Sequence, residues 1–149
     1  MSIIIRKAQK EDIPIIHDLV KELAIYEKAE EEFVVTIEEY ERDFEDQAFE
    51  ALLAEAEGQV VGMVLFYMTY STWKGRMLYL EDFVVRSTHR KMGIGELLFD
   101  AFLETAQQKK SKLVKWQVLD WNKPALNFYQ KYNAIIEKEW WNGKIIFKK

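Results

Sequence analysis

Residues 76–95 read RMLYLEDFVVRSTHRKMGIG, in which an apolar β run leads through a glycine-containing loop into a helix. Ile94, Leu97 and Leu98 begin one apolar face at helical spacing. Glycines at a helix start let the backbone approach a phosphate closely, and the exposed N–H groups with the helix dipole favour an anion. Arg90 and Lys91 add positive charge at the same place. The stretch therefore predicts an anion-binding loop between a strand and a helix.

Known phosphate loops can be compared with this one. A Walker A loop requires GxxxxGK[ST], which the chain lacks. A dinucleotide fingerprint requires GxGxxG, but the position of the third glycine is Leu98. What remains is R-x-x-G-x-G at residues 90–95. A glycine-rich helix start that binds no ligand is the alternative interpretation.

Outward from this stretch, the hydrophobic period predicts one mixed α/β domain over residues 1–149. Before the stretch, Asp12 and Pro14 open one helix, and Thr36 with Glu39 forms a capping box for a second. The predicted order is β-α-α-β-β-β-α-β-α-β-β, with antiparallel hairpins and at least one βαβ crossover. The predicted strands are residues 3–7, 49–56, 59–68, 76–85, 112–119 and a C-terminal hairpin, 135–141 and 144–149, turning at Asn142-Gly143.

Composition excludes several kinds of chemistry. The chain has no cysteine, so thiol nucleophiles, disulfides and Cys-ligated zinc are impossible. The two histidines, His17 and His89, do not form HExxH, and no GxSxG elbow occurs, so we expect no metal site and no serine nucleophile. No apolar run approaches the roughly 18 residues that span a membrane. With no secretory h-region and no cysteine, a cytoplasmic protein is expected.

Charge is distributed unevenly along the chain. Residues 1–50 hold 15 Asp and Glu against 6 Lys and Arg, a balance of −9. Residues 86–149 hold 6 against 13, a balance of +7. The first part would attract a cation and the second an anion, although both could simply be solvated surface. Because no basic face accompanies the five tryptophans, nucleic acid is not an expected partner.

Several motifs in succession resemble one family. R-x-x-G-x-G resembles the pyrophosphate loop of GNAT acetyltransferases, and residues 70–76, 79–82, 118–122 and 127–129 (YSTWKGR, YLED, VLDWN and NFY) resemble its diamine acetyltransferase branch. That branch includes the spermidine/spermine and thialysine acetyltransferases. Ser71 stands where polyamine enzymes tend to carry Asp, and Asn133-Ala134 replaces the usual Gly-Ala. The resemblance implies a GNAT fold, acetyl-CoA as acetyl donor and a homodimer.

The resemblance also implies site residues. Glu81 would accept the amine proton through water, and Tyr129 would protonate the leaving thiolate. Glu81 and Asp82 are neighbours in a strand, so only one of them is expected to point into a given cleft. The main-chain N–H that meets the carbonyl oxygen is expected at Phe83, Val84 or Val85. The expected coenzyme-binding residues are Phe83, Val84, Val85, Arg90, Lys91, Met92, Gly93, Ile94, Gly95, Glu96, Asn122, Pro124, Ala125, Tyr129 and Lys131.

On the amine side, the resemblance implies Tyr26, Glu27, Trp73, Glu81 and Asp82. Ordinary structural roles are the alternatives: salt bridges for the carboxylates, core packing for Tyr129, and a helix cap before Pro124 for Asn122. The expected function is direct acetyl transfer to a primary amine of a small cationic metabolite. A non-catalytic acyl-CoA-binding module, or acetylation of lysine in proteins or peptides, is also compatible with these residues.

Overall fold

Five strands form one sheet in the order β1-β2-β3-β4-β5 in the computed structural model, which describes residues 2–147. The first four strands pair antiparallel with their neighbours in sequence, and β5 pairs parallel with β4. This mixed, mostly antiparallel sheet confirms the predicted fold class. The strands are β1, Ile3–Lys7; β2, Glu50–Ala56; β3, Gln59–Ser71; β4, Gly75–Val85; and β5, Leu113–Trp116.

The described residues form four α-helices, and the helix starts follow from local sequence. Thr36 Oγ1 accepts a hydrogen bond from Glu39 N, and Glu39 Oε1 accepts one from Thr36 N, so the predicted capping box is present. Two 3-10 turns, Lys10–Asp12 and Glu30–Glu32, precede the first two helices. The helices are α1, Ile13–Tyr26; α2, Ile37–Glu45; α3, Ile94–Gln108; and α4, Lys123–Gln130.

The core lies between the helices and the sheet. Ile13, Ile16 and Leu19 of α1 are fully buried and belong to one apolar cluster with inward-facing residues of β2, β3 and β4. On α3, Phe102 is also fully buried, and its ring contacts that of Phe66 on β3. Complete burial of such side chains stabilises the fold by about 1.5–3 kcal/mol each. These contacts fix α1 and α3 against the sheet, and with them the segments at their ends.

The described chain divides into two compact units between Gln117 and Val118. The first unit carries the whole sheet with α1, α2 and α3, and the second carries α4. The single domain predicted over residues 1–149 stays a prediction. Within residues 2–147, no helix has the length and apolarity needed to cross a membrane.

The predicted C-terminal hairpin differs from the structure. Residues 134–147 form neither helix nor strand, and Lys148 and Lys149, which the prediction included, lie outside the described residues. An isolated two-stranded hairpin is marginally stable unless a third strand or a helix covers its apolar face. In this segment, Ile135, Trp141 and Phe147 are at least 87% exposed, so the Asn-Gly turn signal alone does not produce a paired hairpin.

Candidate active site

A β-bulge interrupts β4 at Glu81. Leu65 of β3 pairs with Asp82, whereas Phe66 pairs with Leu80, so Glu81 is an extra residue in the register. A bulge bends its strand and re-aims a side chain, and bulges are common beside active sites. The strict alternation expected for Glu81 and Asp82 is therefore broken where the two carboxylates occur.

Glu27, Glu81 and Asp82 form an acidic cluster. Burial, then the charges of Glu81 and Glu27, raises the pKa of Asp82 to about 7. Burial, then the charge of Glu81, also raises the pKa of Glu27. The structure thus brings the residue after α1 close enough to the bulge of β4 for their charges to interact. We call these three residues the acidic cluster.

Two tyrosines that the sequence analysis missed adjoin the acidic cluster. The Tyr67 hydroxyl donates a hydrogen bond of 2.7 Å to Oε1 of Glu81. Burial, with the charges of Asp82 and Glu81, raises the pKa of Tyr40 above its ordinary value. The sequence did contain a signal for Tyr67. In a hairpin that turns after Ser71, Tyr67 lies opposite Tyr79, and Tyr79 is two residues before Glu81.

The chemistry of the acidic cluster follows from its charges. Like charges in partly buried surroundings repel, and a protonated amine would relieve that repulsion. A carboxylate within hydrogen-bond reach of an ammonium group can also accept its proton. Among the described residues, no group of three or more acidic or histidine side chains is arranged to hold a metal ion. The negative charge of the cluster suits a positively charged group.

The loop between β4 and α3 has the backbone shape of an anion site. Lys91 and Gly93 have positive φ values of 63° and 79°, and Gly93 is the N-cap of α3. Arg90, Lys91 and Met92 are exposed. The N–H groups of the first turn of a helix lack intrahelical partners, so the start of this 15-residue helix can receive a negatively charged group.

A contact joins this loop to the residue that precedes Glu27 of the acidic cluster. The Arg90 guanidinium lies 5.1 Å from the centre of the Tyr26 ring, and its Nε donates to the carbonyl of Val85. Tyr26 is the last residue of α1 and precedes Glu27. The predicted coenzyme loop and the predicted amine-binding residues therefore meet within the first unit.

Several other residues predicted to bind the coenzyme have side chains that pack in the core. The Phe83 ring stacks on Phe99 at 5.8 Å, and Val84 and Ile94 are at most 4% exposed. The donor expected at residues 83–85 is a main-chain group, and that expectation stays a prediction. Gly95 and Glu96 lie in the first turn of α3.

Trp73 is not brought to the acidic cluster. It lies in the turn between β3 and β4 and is 85% exposed. Six residue steps along β4, from Gly75 to Glu81, span about 20 Å. In the same turn, Ser71 Oγ accepts a hydrogen bond from Lys74 N, which gives Ser71 a structural role. Trp73 as a substrate-binding residue stays a prediction.

Arg86 is a further residue that the sequence analysis did not single out. Its Nη1 donates to Glu22 at 2.9 Å and its Nη2 to Asp18 at 3.3 Å, both on α1. Its Nε donates to the carbonyl of Val60. Arg86 thereby ties the end of β4 to α1 and fixes where the predicted anion-binding loop begins.

The second unit contains the remaining candidates. Asn122 Oδ1 accepts a hydrogen bond from Ala125 N, so this side chain caps α4, the role left open as an alternative to coenzyme binding. Pro124 lies in the first turn of α4. Tyr129 is 6% exposed and its ring packs edge-on against Phe128. Lys131 Nζ lies 4.9 Å from the centre of the Phe128 ring.

Comparison with known proteins identifies the family of the chain. Residues 14–134 match the model of the acetyltransferase (GNAT) family. The thialysine N-epsilon-acetyltransferase of Bos taurus is 38% identical, covering 94% of this chain and 89% of its own. That of Caenorhabditis elegans is 36% identical, covering 83% of this chain and 78% of its own. A crystal structure of an aminoglycoside acetyltransferase from an uncultured soil metagenomic sample shares the fold, with TM-score 0.81, 19% identity and coverage of 98% and 97%.

Proposed function

Since the chain belongs to the acetyltransferase (GNAT) family, we propose that it transfers the acetyl group of acetyl-CoA directly to a primary amine of a small cationic metabolite. The proposed amine is thialysine-like or lysine-like, or a diamine. Relatives named thialysine N-epsilon-acetyltransferase support the first class, and the spermidine/spermine N(1)-acetyltransferase-like protein 1 of Homo sapiens, 33% identical over 88% of this chain, supports the second. The presence of Ser71 where polyamine enzymes tend to carry Asp favours the first.

One observation carries the proposal. A cation-attracting acidic cluster and an anion-binding loop adjoin each other through Tyr26 and Arg90. Acetyl transfer in a ternary complex requires such a pairing, because the amine is cationic and the coenzyme carries phosphates. Holding both reactants in place can supply about 7–11 kcal/mol of the barrier.

The geometry of the loop supports the proposed binding of a diphosphate. Positive φ at Gly93 exposes the N–H groups at the start of α3, and the Gly93 position has open space where a side chain would stand. Arg90 and Lys91 are exposed beside it. Bound acetyl-CoA would supply an activated acetyl group, and the residues of this chain would align and deprotonate the amine.

The proposed mechanism begins at the bulge. Glu81 takes a proton from the ammonium group, through water, and leaves the nitrogen a lone pair with which to attack the acetyl carbon. Asp82 and Glu27 hold the substrate's positive charge. A main-chain N–H of Phe83, Val84 or Val85 donates to the carbonyl oxygen as it gains charge. The C–N bond forms, the C–S bond breaks, and the thiolate receives a proton from Tyr129, a role assigned by resemblance. As the amide forms, its nitrogen releases its second proton to water, and the Tyr129 phenolate regains a proton from water.

Three further features belong to the proposal. One catalytic domain spans residues 1–149, which is supported by a family match that runs through both units. Two copies form a homodimer, by resemblance, and light scattering of the purified protein would measure it. A cytoplasmic location is supported by the complete lack of cysteine, since disulfides are rare there.

The test is a thiol-release assay with acetyl-CoA and a panel of amines. Thialysine, lysine, putrescine and spermidine are compared by kcat/KM, with butylamine as a singly charged control. We expect the amines with a second polar or charged group to exceed butylamine by at least about tenfold, because the acidic cluster offers more than one carboxylate. Coenzyme binding without turnover of any amine would contradict catalysis and favour the non-catalytic module.

A further inference from the structure

Tyr67 occupies a defined place beside the proposed proton acceptor. On β3 it pairs with Tyr79 of β4, and the two rings are stacked with centres 5.4 Å apart and planes inclined by 25°. Its hydroxyl donates to Oε1 of Glu81 at 2.7 Å. This is the length of a strong hydrogen bond to a charged acceptor.

The bulge explains why Glu81 needs such a contact. As the extra residue of β4, Glu81 is opposite no β3 residue in the register, and its side chain is exposed. An exposed carboxylate at an irregular point of a strand has several rotamers available. A proton acceptor must instead lie within hydrogen-bond reach of its target. The backbone ladder does not provide that constraint, so a side chain has to provide it.

The properties of Tyr67 suit this role. Stacking on Tyr79 and pairing within the sheet fix the ring on a rigid element. Burial, with the Glu81 hydrogen bond and charge, raises the pKa of Tyr67 above its ordinary value, so the hydroxyl keeps its proton and remains a donor. The donor holds one oxygen of Glu81 and leaves the second oxygen available.

We propose that Tyr67 is a positioning residue, which holds the Glu81 carboxylate by one oxygen so that the other faces the substrate amine. This inference rests on the proposed function and deepens it. Tyr67 transfers no proton, and it acts through the orientation of Glu81. The Tyr67 ring packs within the sheet, whereas its hydroxyl orients Glu81. A substitution that removes only the hydroxyl therefore tests the positioning role without changing the packing.

Tyr67→Phe and the matched Tyr79→Phe test the proposal. Both variants keep the stacked rings and lose one hydroxyl from the same pair of strands. We expect Tyr67→Phe to lower kcat about 10-fold to 100-fold while KM for the amine and the thermal unfolding midpoint stay close to wild type. Tyr79→Phe is expected to keep kcat within about twofold. Equal kcat in wild type and Tyr67→Phe would overturn the proposal.

A double-mutant cycle with Glu81→Gln adds a readout that a structural role would not move. If Tyr67 acts through Glu81, then Tyr67→Phe lowers kcat much less in the Glu81→Gln background than in the wild type. Independent losses that multiply would overturn the positioning role even though both residues mattered. Absence of acetylation by the wild type would overturn the proposed function itself, whereas an active wild type with an unaffected Tyr67→Phe would overturn this inference alone.

Discussion

Glu81 is the single residue on which the proposed chemistry depends most. In Glu81→Gln the side chain keeps its size but accepts no proton, so kcat should fall by about 100-fold or more. The remaining rate should shift toward alkaline pH, because the variant relies on amine that is already deprotonated. Steady-state rates between pH 6 and pH 10 measure both effects. Glu57→Gln, in the exposed turn between β2 and β3, is the control and should match wild type. An unchanged pH profile in Glu81→Gln would remove Glu81 from proton transfer.

Asp82 links the stability of the fold to pH. Its pKa is raised from 3.8 to about 7, chiefly by burial. Between these values the native state holds a proton that the unfolded chain has lost, so stability falls as pH rises through this window. Asp82→Asn should therefore be more stable than wild type by about 2 to 4 kcal/mol at pH 8 and nearly equal to it at pH 4.

Urea unfolding of the ligand-free protein at pH 4 and pH 8 measures this difference. Asp43→Asn, at an exposed position of α2, is the control, and its effect should be small and the same at both pH values. An Asp82→Asn effect that does not change with pH would contradict the raised pKa.

The sequence predicted individual residues better where a side chain acts alone than where several combine. Glu27 and Arg90 were singled out as candidates, and the structure places both at the junction of the loop and the acidic cluster. Tyr67 was missed because its significance comes from a partner 14 residues away, across a register that contains a bulge. The alternation of side chains along a regular strand does not predict that bulge.

At the scale of elements, the loop before α3 depends on a left-handed residue. Gly93 has φ of 79°, so Gly93→Ala should lower stability by about 1 kcal/mol through backbone strain, and should weaken coenzyme A binding because the loop must shift. Gly58→Ala is the matched control: φ is 78° in the turn between β2 and β3, and both glycines have open space around them. It should lose similar stability and bind the coenzyme normally. Calorimetric titration with coenzyme A distinguishes the two, and equal affinities would contradict the loop assignment.

The helices and the first five strands followed from the sequence because each carries its own signal. Thr36 and Glu39 predict the start of α2, and Asn122 with Pro124 predicts the start of α4. The last hairpin had an equally clear turn signal at Asn142-Gly143, yet the described residues around it form no strand. A turn signal is local, whereas a strand also requires a neighbour to pair with, and one sequence does not reveal that neighbour.

At the scale of the whole molecule, the acidic first third should steer cationic substrates. Residues 1–50 carry a net charge of −9, and the acidic cluster begins with Glu27, the residue after α1. Because the screening length shortens to about 10 Å at 0.1 M salt, KM for a doubly charged amine should rise between 20 and about 300 mM NaCl. KM for butylamine should rise less. Identical salt dependence for the two amines would show that the charge asymmetry is only solvated surface.

The extra residue in β4 has a consequence for how this protein can change. Because Glu81 has no counterpart across the ladder, its removal would restore a regular pairing of Asp82 with Leu65 and Leu80 with Phe66, and no neighbour would switch faces. The sheet could therefore persist after the proposed catalytic activity is lost. A chain that lacked this one residue should keep the architecture and lose the proposed proton acceptor.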